Sequence, residues 1–378
     1  MDCNRKIQNQ PLVSVVVPTY NRAYCLQHCV NSVLEQSYPH VEVLLVDDGS
    51  QDGTEDLVKS RYGGDDRVRY VFQANRGVAV ARNRGFSLAR GEFVALLDSD
   101  DVWKPWKLEL QVSVMAHLPE VGMVWTDMEA VDATGTVCDR KYLRTMYDAY
   151  RWFPDSASLF SGSCALSSIA PNLSALVGDV LVSFGNIFSP MIMGSLVHTS
   201  TVLIRKNRLV QVGGFRENFR YAGEDYDFHL RVCREGQVAF VDISSIRYQT
   251  GRGDQLSRRR VFVALHSIKA VRPYLEKERA RIALPQSMIN ALLAEVYGWL
   301  GETLYERGKR RNARRYFCKS LRYRPIQLRV WYAAILSVLR PSLADSVHQV
   351  ARYLKHWFLG NHDRRMKGSV SVGEGEHH

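Results

Sequence analysis

Three runs of apolar residues, Leu12 to Val17, Val41 to Val46 and Phe93 to Leu97, carry almost no polar interruption. Runs of this length bounded by turn residues read as strands buried on both faces, as in a parallel sheet. Val68 to Phe72 supplies a further strand pattern. Between them the apolar residues recur at helical spacing: Leu26, Val30, Val33 and Leu34, then a short helix from Asp52-Gly53-Thr54 through Leu57, then Val78, Ala81, Phe86 and Leu88 within Gly77 to Ala89. Strands alternating with helices in this way build right-handed β-α-β units, so the expected class is α/β with a mostly parallel sheet flanked by helices. Ligands of such sheets collect outside the carboxyl ends of the strands. The polar endings Pro18 to Asn21, Asp47 to Ser50 and Asp98 to Asp101 are therefore expected on one rim.

Asp98, Asp100 and Asp101 close the strand that ends at Leu97. Charges so near each other repel by roughly 1 kcal/mol per pair even in water, and more inside a protein, so the cluster calls for a cation partner. A hard divalent metal held through one or two carboxylates and completed by diphosphate oxygens would serve. The other reading is a solvated acidic turn, or the N-cap of a helix near Pro105. Asp47-Asp48-Gly49-Ser50 is equally compatible with an ordinary turn that needs glycine at positive φ. Trp103 and Trp106 are expected in the core below the rim.

Farther on, Val121 to Val131 reads as a strand carrying Trp125 and Asp127. From Ser156 to Val197 the only charged side chain is Asp179, yet Pro171, Gly178, Gly185 and Pro190 interrupt any membrane-length helix. This insertion is expected as a packed helical cap, with a lipid-facing lid as the alternative. His198 to Ile204 returns to a strand pattern. Gly213-Gly214-Phe215 then leads to Glu224-Asp225, two acids placed where a helix dipole favours them and where adjacency raises one pKa.

The last third is helical by pattern, and Leu300, Gly301, Gly308, Ala313, Phe317 and Pro325 fall at the spacing of one tetratricopeptide unit. Arg307, Arg311, Arg314, Arg315, Lys319 and Arg322 surround it, followed by the apolar stretch Val330 to Leu339. A solvated basic face and a peripheral dock on anionic lipid are the two readings. The expected division is a disordered N-terminus over 1–11, an α/β domain over 12–255 containing the 156–197 insertion, a helical region over 256–362 and a disordered tail over 363–378.

With 378 residues the chain has room for two or three domains. Its formal charge of +11 comes without a lysine tract, zinc-finger spacing or an aromatic-glycine signature, so nucleic acid is not the expected partner. Phosphorylated substrates or an anionic membrane surface fit that charge. Cys3, Cys25, Cys29, Cys138, Cys164, Cys233 and Cys318 are scattered without a C-x-x-C pair, which suits reduced thiols and a cytoplasmic setting, including the cytoplasmic face of a membrane. Neither a signal-peptide pattern nor an apolar run long enough to span a bilayer is visible.

Val15-Val16-Val17-Pro18-Thr19-Tyr20-Asn21-Arg22, Val46-Asp47-Asp48-Gly49-Ser50, Asn75-Arg76-Gly77 running into Ala81-Arg82-Asn83, and Leu97-Asp98-Ser99-Asp100-Asp101 together resemble the family 2 glycosyltransferases of the GT-A fold. The likeness runs through about residue 245. It implies an inverting transfer of a sugar from a nucleoside-diphosphate sugar, preferably a UDP-sugar, to a carbohydrate or lipid-linked acceptor, with Mg²⁺ or Mn²⁺ as cofactor. On that resemblance Tyr20 lies against the base, Asp48 accepts a hydrogen bond from it, and Pro18, Thr19 and Asn21 shape the loop. Arg82 and Asn83 reach ribose and phosphates, Asp98 and Ser99 belong to the nucleotide-sugar site, and Asp127 is a sugar contact. Asp98, Asp100 and Asp101 are the metal candidates. His198, Gly214 and Glu224 lie on the acceptor side, and Asp225 is the base that takes the acceptor proton, with Glu224 beside it. The Gln-x-x-Arg-Trp signature of processive synthases is absent after Asp225, which implies one sugar at a time. Tyr248 to Arg252 lacks the histidine many relatives carry there, leaving Arg252 as a substitute. A non-catalytic sugar-nucleotide-binding or scaffolding protein using its helical repeat is the alternative.

Overall fold

A computed structural model describes residues 10–155, 157–219, 222–251 and 260–339. The described chain divides into two compact units, Met1–Pro285 and Gln286–His378. The first is built on one mixed sheet in the order β3-β2-β1-β4-β10-β6-β11-β9-β8. β1 (Val13–Thr19), β2 (Val41–Asp47), β3 (Val68–Phe72) and β4 (Phe93–Leu96) are its parallel half. Every residue of β1, β2 and β4 is buried, the reason their sequences lack polar alternation.

Helices α1 (Ala23–Leu34), α2 (Thr54–Tyr62) and α3 (Val78–Leu88) make the crossovers. α1 buries Leu26, Val30 and Val33, the stripe that its period predicts. α3 lies against β1 so closely that a Cβ on Gly85 would stand 2.3 Å from Val16 Cγ1. Only a residue without a side chain permits that approach. β5 (Val102–Trp103) and α4 (Lys107–His117) follow the acidic loop, with Trp103 buried as expected.

The other half of the sheet departs from the sequence expectation. β6 (Met123–Val131) is the strand foreseen, with β7 (Val137–Asp139) beside it. Residues 156–197 hold, instead of an all-helical cap, a hairpin of β8 (Gly162–Ala165) and β9 (Leu181–Gly185) that extends the sheet, along with short helices at Leu166–Ile169, Pro171–Val177 and Phe188–Ile192. His198 to Ile204 is split: a 3-10 turn at Thr199–Thr201 precedes β10 (Leu203–Arg205), which runs antiparallel to both β4 and β6. β11 (Val238–Gln249) pairs with β5, β6 and β9 and joins the two ends of the sheet's second half.

α5 (Glu224–Arg234) and α6 (Arg260–Lys277) complete this unit. α6 therefore falls within the first unit, whereas the expected boundary at 255 assigned it to the helical region. The second unit contains α7 (Gln286–Glu306), α8 (Arg310–Tyr323) and α9 (Leu328–Val338). Gly301 on α7 takes the ring of Phe317 on α8 at a distance no Cβ would allow. Arg252, both terminal segments and the residues after 339 lie outside the described residues.

Candidate active site

The three polar strand endings meet on one rim because register fixes them there. Thr19 pairs with Asp47 across β1 and β2, Val16 with Leu96 across β1 and β4. The loop after β1 is lashed to the one after β2: the Asn21 N–H donates to Ser50 Oγ at 2.8 Å, Gln51 N–H donates to Asn21 Oδ1 at 2.8 Å, and Ala23 N–H donates to Asp52 Oδ2 at 2.9 Å. Asn21 itself sits at φ 52°, a left-handed conformation that asparagine tolerates. Pro18 lies within β1, Thr19 is buried with no hydrogen-bond partner for its Oγ1, and the Tyr20 ring is 48% exposed beside them.

Asp48 is buried, and both its oxygens already accept: Oδ1 from Gln73 Nε2 at 2.8 Å and the Arg76 N–H at 2.9 Å, Oδ2 from the Gly77 N–H at 2.8 Å. Its carboxylate thus shapes the 73–77 loop that starts α3, a role the resemblance did not supply. Asn83, expected at ribose and phosphates, is likewise engaged elsewhere. Its Nδ2 donates to the Phe215 carbonyl at 2.9 Å and its Oδ1 accepts the Phe215 N–H at 2.8 Å. This clasp requires Gly214, at φ 74°, where a Cβ would lie 2.7 Å from Asn83 Oδ1.

The acidic loop gets a cation from within the chain. Arg82 is buried, its Nη2 donates to Asp98 Oδ1 at 2.7 Å and its Nη1 to Glu224 Oε1 at 3.1 Å. The guanidinium lies 5.0 Å from the Phe215 ring centroid. Burial works against its charge, but Asp98 and then Glu224 outweigh it and hold Arg82 protonated above its ordinary range. Asp98 is the mirror case, with burial opposed by Arg82, His198 and Arg22, and its pKa is lowered. Glu224 goes the other way: burial and then the neighbouring Asp225 push it up to about 7, against the pull of Arg82. One guanidinium thereby ties the end of β4 to the start of α5, although 142 residues separate Arg82 from Glu224.

Asp225 is half-buried, and its Oδ1 accepts the Tyr226 N–H at 2.7 Å. His198 is buried, packs edge-on to Tyr248 at 5.3 Å, and has its pKa lowered by burial against the opposing charges of Asp98 and Asp225. Asp98, Arg82, Glu224, Asp225 and His198 thus form one electrostatic group. Asp127 does not join it. Closed inside β6, its Oδ1 accepts the N–H groups of Met128 at 2.7 Å and Leu143 at 3.1 Å, and burial raises it to about 6. That oxygen braces the backbone at Met128 and Leu143.

Among the metal candidates, Asp101 is buried, and Ser200 Oγ donates to its Oδ2. Ser99 is buried too, its carbonyl accepting from the Cys25 thiol at 3.4 Å. Asp100 remains partly exposed, 3.9 Å from Arg22. No cluster of three metal-binding side chains occurs among the described residues. Asp100 with Asp98 gives a hard oxygen donor set, which fits a divalent cation bound by one or two carboxylates together with substrate phosphates.

Two participants escaped the sequence. Ser200, fully buried, donates to Asp101 and accepts the Asp98 N–H at 3.1 Å, and nothing in His198-Thr199-Ser200-Thr201 distinguishes it from its neighbours. His229, one turn into α5, is fully buried with neither ring nitrogen bonded, and burial followed by the Arg82 charge drives its pKa down to about 3. It is neutral throughout the physiological range.

Residues 14–170 match the family described as Glycosyl transferase family 2. The chain is 48% identical over 107 residues to a teichuronic acid biosynthesis glycosyltransferase, TuaG, of Bacillus subtilis, a stretch covering 28% of this chain and 42% of the relative. It is 35% identical over 136 residues to the hyaluronan synthase of Pasteurella multocida, covering 36% of this chain and 14% of that one. The chain therefore spans less than half the length of these relatives. A mannosyltransferase from Pyrobaculum calidifontis, solved with GDP-Man and Mn²⁺, superposes with a TM-score of 0.51 at 18% identity, over 92% of this chain and 81% of the other, and so shares the GT-A fold.

Proposed function

We propose that this protein, whose residues 14–170 match the family described as Glycosyl transferase family 2, transfers a sugar from a nucleoside-diphosphate sugar to an acceptor hydroxyl with inversion, one sugar at a time, in the assembly of a polysaccharide or other glycan. The observation that carries this reading is the Arg82 bridge between Asp98 and Glu224, which holds the acidic rim beside the paired acids of α5. Relatives named for teichuronic acid and hyaluronan synthesis support the polymer context, and a fold neighbour bound to GDP-Man supports the donor class. A UDP-sugar is the preferred donor by resemblance.

The chemistry follows from what each side chain offers. Asp225, the less buried of the two acids, takes the proton of the acceptor hydroxyl as its oxygen attacks the anomeric carbon, and the bond to the diphosphate breaks on the opposite face. A positioned base of this kind contributes roughly 10²- to 10⁴-fold. Glu224, fixed by Arg82, orients that base and the acceptor. The Tyr20 ring offers its exposed face to the nucleotide base. A Mg²⁺ or Mn²⁺ held by Asp100 and Asp98 would offset the charge that develops on the departing diphosphate.

No helix among the described residues is long and apolar enough to cross a membrane, and Cys25, Cys29 and Cys233 are free thiols, which fits a reducing, cytoplasmic setting. The test is a panel of nucleotide sugars and acceptors with Mn²⁺ present, with the product anomer read by NMR. Transfer with inversion that falls at least a hundredfold in Asp225→Asn is expected. Full activity in that variant would remove the base, and donor binding without turnover of any pair would replace the enzyme by a binding protein.

A further inference from the structure

The helical unit presents a surface that the transfer reaction does not use. α8 and α9 form an antiparallel hairpin pinned at both ends: Gln327 Nε2 donates to Ser320 Oγ at 3.1 Å, and Arg310 Nη1 donates to the Leu339 carbonyl at 2.8 Å. Their inward faces meet on α7, where Val330 Cγ2 and Ser320 Oγ lie 3.2 and 3.3 Å from the place a Cβ on Gly298 would take. The residues of both helices that lie opposite these inward faces are exposed.

These two faces differ in chemistry. On α9, Leu328, Trp331, Ile335 and Val338 recur every three or four residues as one stripe, 86%, 49%, 56% and 66% exposed, and Ile326 just before them is 86% exposed. A stripe at helical spacing ordinarily faces a core. This one faces out. On α8 the exposed positions include Arg311, Arg314, Arg315 and Arg322, none of which has an ion pair among the described residues, whereas Lys319 lies over the Tyr297 and Tyr316 rings. No acidic residue occurs between Glu306 and Asp345 to neutralise them.

We propose that the outward face of the α8–α9 hairpin docks on an anionic phospholipid surface, with the arginines of α8 at the headgroups and Trp331, Ile335 and Val338 entering the boundary below them. Charge complementarity selects this occupant. An apolar stripe alone would suit any hydrophobic partner, whereas exposed arginines on the neighbouring helix of the same hairpin match a plane that is negative at its surface and apolar a few ångströms beneath. Neither signal suffices singly, because stable interfacial binding takes both. The inference is independent of the transfer reaction.

The experiment is flotation of the full chain with vesicles of phosphatidylcholine alone or with phosphatidylglycerol. Binding only to the anionic vesicles is expected, weakening as salt rises. Each cation contributes about a fivefold factor in partition, so Arg311→Glu, Arg314→Glu and Arg315→Glu combined should abolish flotation. Trp331→Ser with Ile335→Ser should abolish it as well while leaving the melting temperature unchanged. Equal recovery with both lipid compositions, or no binding to either, overturns the proposal. So does a fall in melting temperature for the serine pair, which would mean that the stripe is covered by the protein's own chain. A concentration-dependent dimer broken by the same pair would assign the face to a second copy.

Discussion

Replacing Arg82 by methionine isolates the interaction on which the site's geometry rests. The Arg82 side chain is 4% exposed, Glu224 8% and Asp98 30%. Removing one partner of a buried pair costs about 3–5 kcal/mol because the other charge is left without compensation. The Asp98 leg is partly reached by water, so the lower end, about 3 kcal/mol, is expected. With a urea m-value of about 3 kcal/mol/M for a domain of this size, the unfolding midpoint should drop by about 1 M.

The cost should also depend on pH. Glu224 titrates near 7 in the folded protein. Without the guanidinium it rises further and takes up a proton, so at pH 6 it is neutral in both proteins and only the Asp98 leg is lost. At pH 8.5 the wild type keeps an ionised Glu224 against Arg82, and the variant cannot. Urea titrations of Arg82→Met at the two pH values should give the larger destabilisation at pH 8.5. Adding Glu224→Gln should recover part of it there and little at pH 6. A cost independent of pH, or two substitutions that simply add, would refute the bridge as the organising contact.

Two further predictions concern buried charges. Asp127 has a folded pKa of about 6 against 3.8 for an ordinary aspartate, so the folded state binds the proton more tightly and wild-type stability falls as pH rises from about 4 to 6. Asp127→Asn keeps an oxygen for the Met128 and Leu143 N–H groups and should be more stable than wild type at pH 8, by about 1–3 kcal/mol, with the gap gone at pH 4; an unchanged or lower melting temperature at pH 8 would contradict this. Lys107 is fully buried over the Trp103 ring, its Nζ donates to Gln111 Oε1 at 2.5 Å, and burial holds its pKa well below the ordinary value. The unfolded chain binds that proton more tightly, so Lys107→Met should raise the melting temperature at pH 7 and the gain should shrink toward pH 10; a gain that grows with pH would reverse the sign.

How far the sequence could be read depended on whether a segment's pattern reports its own surroundings. β1, β2 and β4 are buried on both faces, and their unbroken apolar runs say so directly. β11 is a longer strand, yet Asp242, Ser244, Ser245 and Arg247 break its pattern, and register shifts at Val241/Ser244 and Ser244/Ile246 change which side faces inward. β8 reads Gly-Ser-Cys-Ala, without the branched residues that mark a strand. At the site the residue types were legible and their partners were not. Asp48 and Asn83 both carry polar groups suited to a nucleotide, but their bonds go to the 73–77 loop and to Phe215, partners fixed only by the tertiary fold. The burial of Asp127 and Asp101 likewise leaves no local mark in the sequence.

β10 supplies only three residues, Leu203–Arg205, but they are the sole link between β4 and β6 in the order of the described sheet. A nascent chain emerging from the ribosome thus carries β1 to β4 with one long border of β4 unpaired until that short segment has been made. The same border would be bare in a fragment cut at residue 170, where the family match ends. Unpaired borders of this kind recruit other chains, so the smallest piece able to fold by itself must extend beyond Arg205, however complete the nucleotide-sugar motifs look upstream.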